Sequence, residues 1–206
     1  MINLLFSNPC EFFIAFGGLI LSLSFHEFAH AWVADFLGDP TPRRQGRVTL
    51  NPLKHLDPLG TVALLLVSFG WGKPVEIDPF NLKNPVRDSA LIALAGPVTN
   101  LLIAGLIAII VRAVALPESV MEGLIDVTVI NVVLAIFNLI PVHPLDGSKI
   151  VMPLLPRRLG LEYEQFMEKF GLFLMLGLIV PWYNGVSPVS VLITPVIRFV
   201  TGLLFS

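Results

Sequence analysis

The sequence predicts an α-helical polytopic membrane protein with about five transmembrane helices and a re-entrant or β-hairpin segment around residues 42–80. Of its 206 residues, 55% are hydrophobic and only 14% are charged, and the mean hydropathy is +0.82. A soluble domain normally has about a quarter of its residues charged. Several apolar stretches approach or exceed the roughly 20 residues that cross a bilayer. No soluble domain of ordinary size fits between them, so residues 1–206 are expected to form a single membrane domain.

The charge and cysteine contents exclude several classes of protein. A net charge of −2 and the lack of any nucleic-acid motif give no reason to expect a nucleic-acid partner. The single cysteine, Cys10, excludes an internal disulfide and a multi-cysteine metal site. The first residues lack the basic region of a signal peptide, so the first helix is expected to be retained.

The first predicted helix spans residues 11–38, ends at a Gly-Asp-Pro sequence and contains a His-Glu-x-x-His motif. Residues four apart lie on one face of a helix, so His26 and His30 can bind one zinc ion. Glu27 lies beside the metal, where it can take a proton from a water that the metal activates. A single histidine in an apolar helix is usually hydrogen-bonded core, but three ionisable groups within five membrane positions indicate function.

The segment around residues 42–80 is expected to enter the membrane without crossing it. Its apolar run, residues 59–69, is too short to span a bilayer, and basic residues flank it on both sides, which disfavours a crossing. Residues 45–50 alternate weakly between apolar and polar side chains and suggest a short strand. An unwound substrate could add to this strand as an extended neighbour.

Four further apolar stretches are interpreted as spans, at residues 88–115, 127–155, 166–181 and 188–204. Pro97 is expected to kink the first of them. Pro141, Pro144 and Gly147 are expected to break the second, so that its loose backbone lines a cavity. The core is assigned to residues 11–155 and accessory helices to 165–205. The distribution of lysine and arginine predicts an outside amino terminus, an inside carboxy terminus and an active site nearer the cytoplasmic face.

Two histidines leave a catalytic zinc ion one protein ligand short. Asp146 and His143 are the two candidates that lie in the broken, membrane-depth segment. Gly147 leaves the backbone free to present the Asp146 carboxylate. The alternative role for Asp146 is to cap the helix that restarts there. Two histidines, a carboxylate and a water form a known catalytic arrangement.

Three stretches together resemble the site-2 protease family, zinc metalloproteases that cut the transmembrane helices of other proteins. They are the His26-Glu27-x-x-His30 helix, Gly96-x-x-x-Asn100, and Asn138-x-x-Pro141-x-x-Pro144-x-Asp146-Gly147. The stretch from Asn51 to Thr61 also resembles the small bacterial branch of the family. The resemblance extends from about Ser24 to Gly147, and no segment resembles the PDZ or CBS domains of some relatives.

The resemblance implies one zinc ion per chain, held by His26, His30 and Asp146, with Glu27 as the general base. Asn138 matches the position that holds the substrate carbonyl or its oxyanion. It also implies membrane-anchored protein substrates and a bacterial inner-membrane location.

Three other polar residues are less well determined by the resemblance. Asn100 matches an asparagine of the middle span, with a positioning or substrate-binding role. His55 either contacts substrate or hydrogen-bonds its own loop, and the second interpretation is favoured. His143 departs from the family pattern, in which an apolar residue or proline is expected.

Two other functions compete with proteolysis. The first is a non-proteolytic membrane protein of the same fold that binds partner helices, but such a protein would be expected to lack Glu27 or a zinc ligand. The second is a metal transporter, but transporters tend to have broken helices in both halves and only one is predicted here. Anti-sigma factors and remnant signal peptides are candidate substrates, and nothing in the sequence selects one.

Overall fold

The computed structural model describes residues 2–67, 70–182 and 184–206, and this part of the chain is helical, with no β-strand. The α-helices in chain order are α1 Ile2–Ser7, α2 Pro9–Leu37, α3 Thr41–Arg44, α4 Pro58–Val67, α5 Pro85–Ala113, α6 Glu118–Asn138, α7 Asp146–Val151, α8 Arg157–Ile179 and α9 Pro188–Phe205. Three short 3₁₀ turns lie at Pro52–Lys54, Pro79–Asn81 and Met152–Leu154. The predicted all-helical membrane architecture is confirmed.

Four of the described helices, α2, α5, α6 and α9, are long and apolar enough to cross a membrane. The span expected at residues 166–181 is not among them. It forms part of α8, and the apolar stretch of α8 after its last charged residue is only about ten residues, roughly 15 Å of helix against about 30 Å of hydrocarbon. Among the described residues there are therefore four candidate spans, against about five expected. The charged residues of α8 are Arg157, Arg158, Glu162, Glu164, Glu168 and Lys169.

The expected break within residues 127–155 is confirmed. Helix α6 ends at Asn138, and α7 begins eight positions later at Asp146. Pro141 and Pro144 lie between them, and proline lacks the N–H that a continuing helix needs. Helix α5, by contrast, runs through Pro97 without ending.

The segment around residues 42–80 contains no β-hairpin in its described part, so that expectation is wrong. Residues 45–50, expected as a strand, form turns whose backbone bonds are local, such as Arg47 N–H to the Pro42 carbonyl at 2.8 Å. The described strand-like pairing is limited to one isolated bridge between Leu56 and Gly72. The apolar run forms the short helix α4, and its last two residues, 68 and 69, lie outside the described part.

Helices α2, α5 and α6 pack against one another and form the centre of the molecule. Lipid is as apolar as the side chains, so helices in a membrane associate through close packing rather than through the hydrophobic effect. Small residues at the interface permit this close packing. A Cβ atom added at Gly18 of α2 would lie 2.3 Å from Cγ2 of Val127, and one at Gly123 of α6 would lie 2.6 Å from Cγ2 of Ile14. The distance between α2 and α6 is therefore set by these two glycines.

A buried carboxylate fixes the loop that follows α2. The helix ends at Gly38, which has a φ of 110°, and Asp39 is fully buried. Its carboxylate accepts hydrogen bonds from the Thr41 N–H at 3.0 Å, the Asp78 N–H at 2.8 Å and the Asn81 side chain at 3.0 Å. Burial alone would raise the pKa of Asp39, but these hydrogen bonds lower it below its usual value. The carboxylate therefore ties residues 78–81 to the end of α2.

We expect Asp39→Ala to lower the free energy of unfolding by roughly 3 kcal/mol, since it removes the buried acceptor of three hydrogen bonds, each contributing about 1 kcal/mol. Because the pKa of Asp39 is lowered on folding, its contribution is intact at neutral pH and is lost as the pH falls below about 4. The measurement is thermal unfolding of the purified protein in detergent at pH 7.

The control for this prediction is Asp35→Asn, four residues earlier. Asp35 accepts from the exposed Arg43 side chain, 2.7 Å from its Nε, and exposed ion pairs contribute about 1 kcal/mol or less. Equal losses of stability in the two variants would contradict the assigned role of Asp39.

Candidate metal centre

Helix α2 brings two imidazoles together at the centre of the molecule. His26 and His30 are 4% and 6% exposed, and their Nε2 atoms lie 3.0 Å apart. Their four-residue spacing places both rings on the face of α2 that packs against α5. The pair predicted from the motif is therefore preformed.

A carboxylate from a distant part of the chain completes the cluster. Asp146 Oδ2 lies 3.2 Å from His26 Nε2 and 3.3 Å from His30 Nε2. Gly147 permits this placement, since a Cβ atom there would lie 2.3 Å from the Leu139 carbonyl oxygen. Among the described residues, these three side chains form the group that could hold a metal ion. His143 is exposed and stays outside the group, and α7 begins without a side-chain cap.

The hydrogen bonds of the outer ring nitrogens show what the cluster can bind. His26 Nδ1 lies 2.6 Å from Asn100 Oδ1, and His30 Nδ1 lies 2.7 Å from the Ile92 carbonyl oxygen. Both partners accept, so both Nδ1 atoms carry a proton, and in the neutral ring each Nε2 atom then presents a lone pair. Asp146 Oδ2 is buried and has no hydrogen-bond donor among the described groups.

Three hydrogen-bond acceptors thus converge within 3.3 Å in a buried site. They repel one another unless a cation lies among them. Two imidazole nitrogens and one carboxylate oxygen are the donor set of a catalytic zinc site with an open fourth position. The residues present therefore fit a zinc ion.

The cluster opens into a cavity of about 130 Å³ that contains the other predicted catalytic groups. Glu27 lines it beside the two histidines, with 12% of its side chain exposed. Asn138, the last residue of α6, lines it as well, and its Nδ2 donates to the Leu134 carbonyl at 2.9 Å. The stretch 73–78, which has no regular secondary structure, lines the same cavity through Pro74, Val75 and Ile77.

Two candidate substrate-binding residues lie away from the cavity. Asn100 is fully buried and contacts His26. His55 is also fully buried, and its Nε2 lies 2.7 Å from the Thr49 carbonyl oxygen, in agreement with the favoured interpretation of a loop hydrogen bond. Burial lowers the pKa of His55, so this ring is neutral at neutral pH.

Arg47 is one of the basic residues that precede the apolar run 59–69, and the structure buries it beside α2. Arg47 is 3% exposed, and its Nη2 lies 3.8 Å from Glu27 Oε2. The guanidinium also donates to the carbonyls of Lys54, at 2.8 Å, and Lys73. It therefore joins the two loops on either side of α4 to Glu27. Loop charge alone gave no signal of this burial.

Gly96 of α5 belongs to the Gly96-x-x-x-Asn100 motif, and its lack of a side chain leaves space for the two imidazole rings. A Cβ atom at this position would lie 2.5 Å from His26 Cε1 and from His30 Nε2, closer than real Cβ atoms approach. The absence of a side chain lets α5 lie directly against the two metal-facing rings.

Comparison with known proteins gives a consistent result. A family model described as peptidase family M50 matches residues 115–180. The chain is 37% identical over 171 residues to YwhC of Bacillus subtilis, which bears the provisional name of a zinc metalloprotease, and the match covers 79% of this chain and 78% of YwhC.

Two mycobacterial relatives bear the same provisional name. Rip2 of Mycolicibacterium smegmatis is 32% identical over 150 residues, covering 69% of this chain and 57% of that protein. Rip2 of Mycobacterium tuberculosis is 30% identical over 185 residues, covering 84% of this chain and 70% of that protein. No solved structure matches the chain.

We expect Gly96→Ala to weaken zinc binding by about tenfold or more, because its methyl group displaces both imidazoles from the metal. The measurement is zinc content per chain after competition with a chelator. The matched control is Gly105→Ala on the same helix, where an added Cβ meets nothing within 4 Å. Full zinc occupancy in Gly96→Ala would show that the rings tolerate the methyl group.

Proposed function

The chain belongs to peptidase family M50, the site-2 protease family, and we propose that this membrane metalloprotease hydrolyses peptide bonds within or near transmembrane helices of membrane-anchored substrates. One observation carries the proposal. Two histidines and a carboxylate converge beside Glu27, and three of these four residues lie on α2, a helix long and apolar enough to cross a membrane. Glu27 and all three candidate ligands are present, which argues against a non-proteolytic protein of the same fold.

In this proposal His26, His30 and Asp146 hold one zinc ion per chain. When bound, zinc supplies Lewis-acid chemistry, lowering the pKa of water and offsetting negative charge as it develops. The convergence of three unprotonated acceptor atoms supports the assignment. All three belong to the core assigned to residues 11–155, and helices α8 and α9 contribute none of them.

Glu27 acts as the general base in this mechanism. Its carboxylate lies in the cavity beside the two histidines, within reach of a water that attacks the substrate carbonyl. Glu27 accepts a proton from that water and returns it to the leaving amine, a role that typically contributes about a hundred- to ten-thousandfold in rate. The Arg47 guanidinium, 3.8 Å from Glu27 Oε2, restrains the carboxylate from the loop side.

Asn138 stabilises the oxygen of the carbonyl under attack. An amide nitrogen has two N–H donors, and one donates to the Leu134 carbonyl. The second is available to the substrate oxygen within the cavity.

The substrate helix has to unwind before cleavage, because helical peptide bonds are hydrogen-bonded and shielded. The strand once expected at residues 45–50 is a turn, so it offers no edge for this purpose. The stretch 73–78, which lines the cavity and has no regular secondary structure, is the segment along which we place the unwound substrate.

The protein is an integral membrane protein, and we place it in a bacterial inner membrane with the metal site nearer the cytoplasmic face. The bacterial relatives support the assignment to a bacterial inner membrane. The basic residues that follow the carboxy-terminal half of α2 support a metal site nearer the cytoplasmic face.

The experiment that tests the function measures zinc per chain and cleavage of a model transmembrane-helix substrate by detergent-purified protein. We expect about one zinc ion and cleavage in the wild type, and neither in His26→Ala. Zinc without cleavage of several such helices would count against the protease. A wild-type chain without zinc would overturn the metal site.

Glu27→Gln is expected to lower kcat by about a hundred- to ten-thousandfold while zinc content stays that of the wild type, since the amide cannot accept the proton. Both quantities are measured on the same preparation. Glu11→Gln, near the start of the same helix, is the control and should retain activity. Wild-type turnover in Glu27→Gln would remove Glu27 from the mechanism.

Asn138→Leu is expected to lower kcat by about a hundred- to a thousandfold with zinc content unchanged, because the oxyanion loses a donor. Steady-state kinetics on the model substrate separates kcat from KM. An effect confined to KM would instead assign Asn138 to substrate binding.

A further inference from the structure

A chain of buried polar side chains links the metal centre to α6. Ser22 of α2, Asn100 of α5 and Asn131 of α6 are 2%, 0% and 0% exposed. They lie within three helices long and apolar enough to span a membrane, where polar groups are costly and usually functional. Asn100 contacts His26, so the chain ends at a candidate metal ligand.

The orientation of the Asn131 amide is fixed by its own helix. Its Nδ2 lies 2.8 Å from the Val127 carbonyl oxygen and 2.7 Å from Ser22 Oγ. A carbonyl can only accept, so the NH₂ group of Asn131 has to face Val127. The Oδ1 atom of Asn131 therefore faces the opposite way, toward Asn100.

This orientation passes to His26 through Asn100. Asn131 Oδ1 can only accept, so Asn100 presents its Nδ2 there, at 2.9 Å. Asn100 Oδ1 then faces His26 Nδ1 at 2.6 Å, and Nδ1 has to carry the proton. The His26 Nε2 atom is left with a lone pair directed at the metal position.

The proton position of the second candidate ligand, His30, is fixed without a side-chain partner. His30 Nδ1 faces the Ile92 backbone carbonyl at 2.7 Å, an acceptor that cannot rotate. The Asn100 amide is held instead mainly by a side chain, Asn131 Oδ1 at 2.9 Å, with a longer contact from its Nδ2 to the Ser22 carbonyl oxygen at 3.3 Å. If the amide presented its NH₂ group to His26, Nδ1 would have to accept, and the ring proton would move to Nε2, where it blocks metal binding.

We propose that Asn131 is a positioning residue for metal binding, which acts through Asn100 to hold His26 in the tautomer whose Nε2 can ligate zinc. The inference rests on the zinc site of the proposed function. It assigns Asn131 a role beyond helix packing, although the side chain lies in contact with none of the three candidate ligands.

The test is a zinc titration of metal-free protein in detergent against a chelator of known affinity. Asn131→Leu keeps the approximate volume but loses both donors and the acceptor. We expect it to weaken zinc binding by about ten- to a hundredfold, the usual effect of losing a partner behind a metal-bound histidine.

The matched control is Thr128→Val, one turn earlier on α6. Thr128 is also fully buried, and its hydroxyl bonds only its own helix, at the Leu124 carbonyl. Thermal unfolding of both metal-free variants reports general loss of packing. We expect the control to keep wild-type zinc affinity even if its stability falls.

A rescue separates orientation from packing. In Asn100→Asp either carboxyl oxygen can accept from His26, and a proton on the other oxygen can be donated to the Ser22 carbonyl, which Asn100 Nδ2 contacts at 3.3 Å. Adding Asn100→Asp to Asn131→Leu should therefore restore most of the zinc affinity, although it restores no contact at position 131. Should Asn131→Leu fail to fold, Asn131→Ser replaces it as both single and double variant.

The outcomes are distinct. Unchanged zinc affinity in the position 131 variant, an equal loss in Thr128→Val, or absence of rescue by Asn100→Asp would each overturn the inference while leaving the zinc site in place. A wild-type chain that binds no zinc would overturn the proposed function and this inference together.

Discussion

The structure depends on three acceptor atoms that converge in an apolar interior. The Nε2 atoms of His26 and His30 and Oδ2 of Asp146 lie within 3.3 Å of one another, an arrangement that is unfavourable without a cation. Two of them come from consecutive turns of α2, and the third requires the chain to break between α6 and α7. Gly96 and Gly147 provide the space. A continuous third span, or a methyl group at either glycine, would separate the acceptors.

The apolar interior also explains why the two outer ring nitrogens and the Asn100 side chain are all hydrogen-bonded. Water is scarce at that depth, so an unpaired donor or acceptor costs more than it does at a protein surface. Each outer ring nitrogen has a partner, and the side chain of Asn100 is paired at both ends. Complete pairing leaves few alternative arrangements. Within the metal cluster itself, Asp146 Oδ2 and the two Nε2 atoms are left for a ligand.

Sequence reasoning performed best where chemistry and periodicity coincide. The motif on α2 and the Pro-broken segment before Asp146 were predictable, because helical spacing and proline geometry act locally. The turn at residues 45–50 was mistaken for a strand, because weak alternation does not reveal local turn hydrogen bonds. The burial of Arg47 and the contacts of Asn131 depend on how distant segments pack, so they could not be predicted from a local sequence pattern. The stretch 166–181 resembles a span by its hydrophobicity, but the helix that contains it, α8, begins with a charged part at residues 157–169 that does not fit a membrane interior.

The shortness of the apolar part of α8 has a consequence for topology. A chain that crosses four times, an even number, returns to the side on which it started. Residues 2 and 206 then lie on the same side of the bilayer, whereas five crossings would separate them. In the orientation that we propose, the basic connection between α2 and α5 lies inside, so four crossings place both ends outside, whereas five would leave the carboxy terminus inside as first expected. Epitopes attached to the two ends would then be equally accessible to a reagent that cannot enter the cell, while the connection between α6 and α9 stays protected.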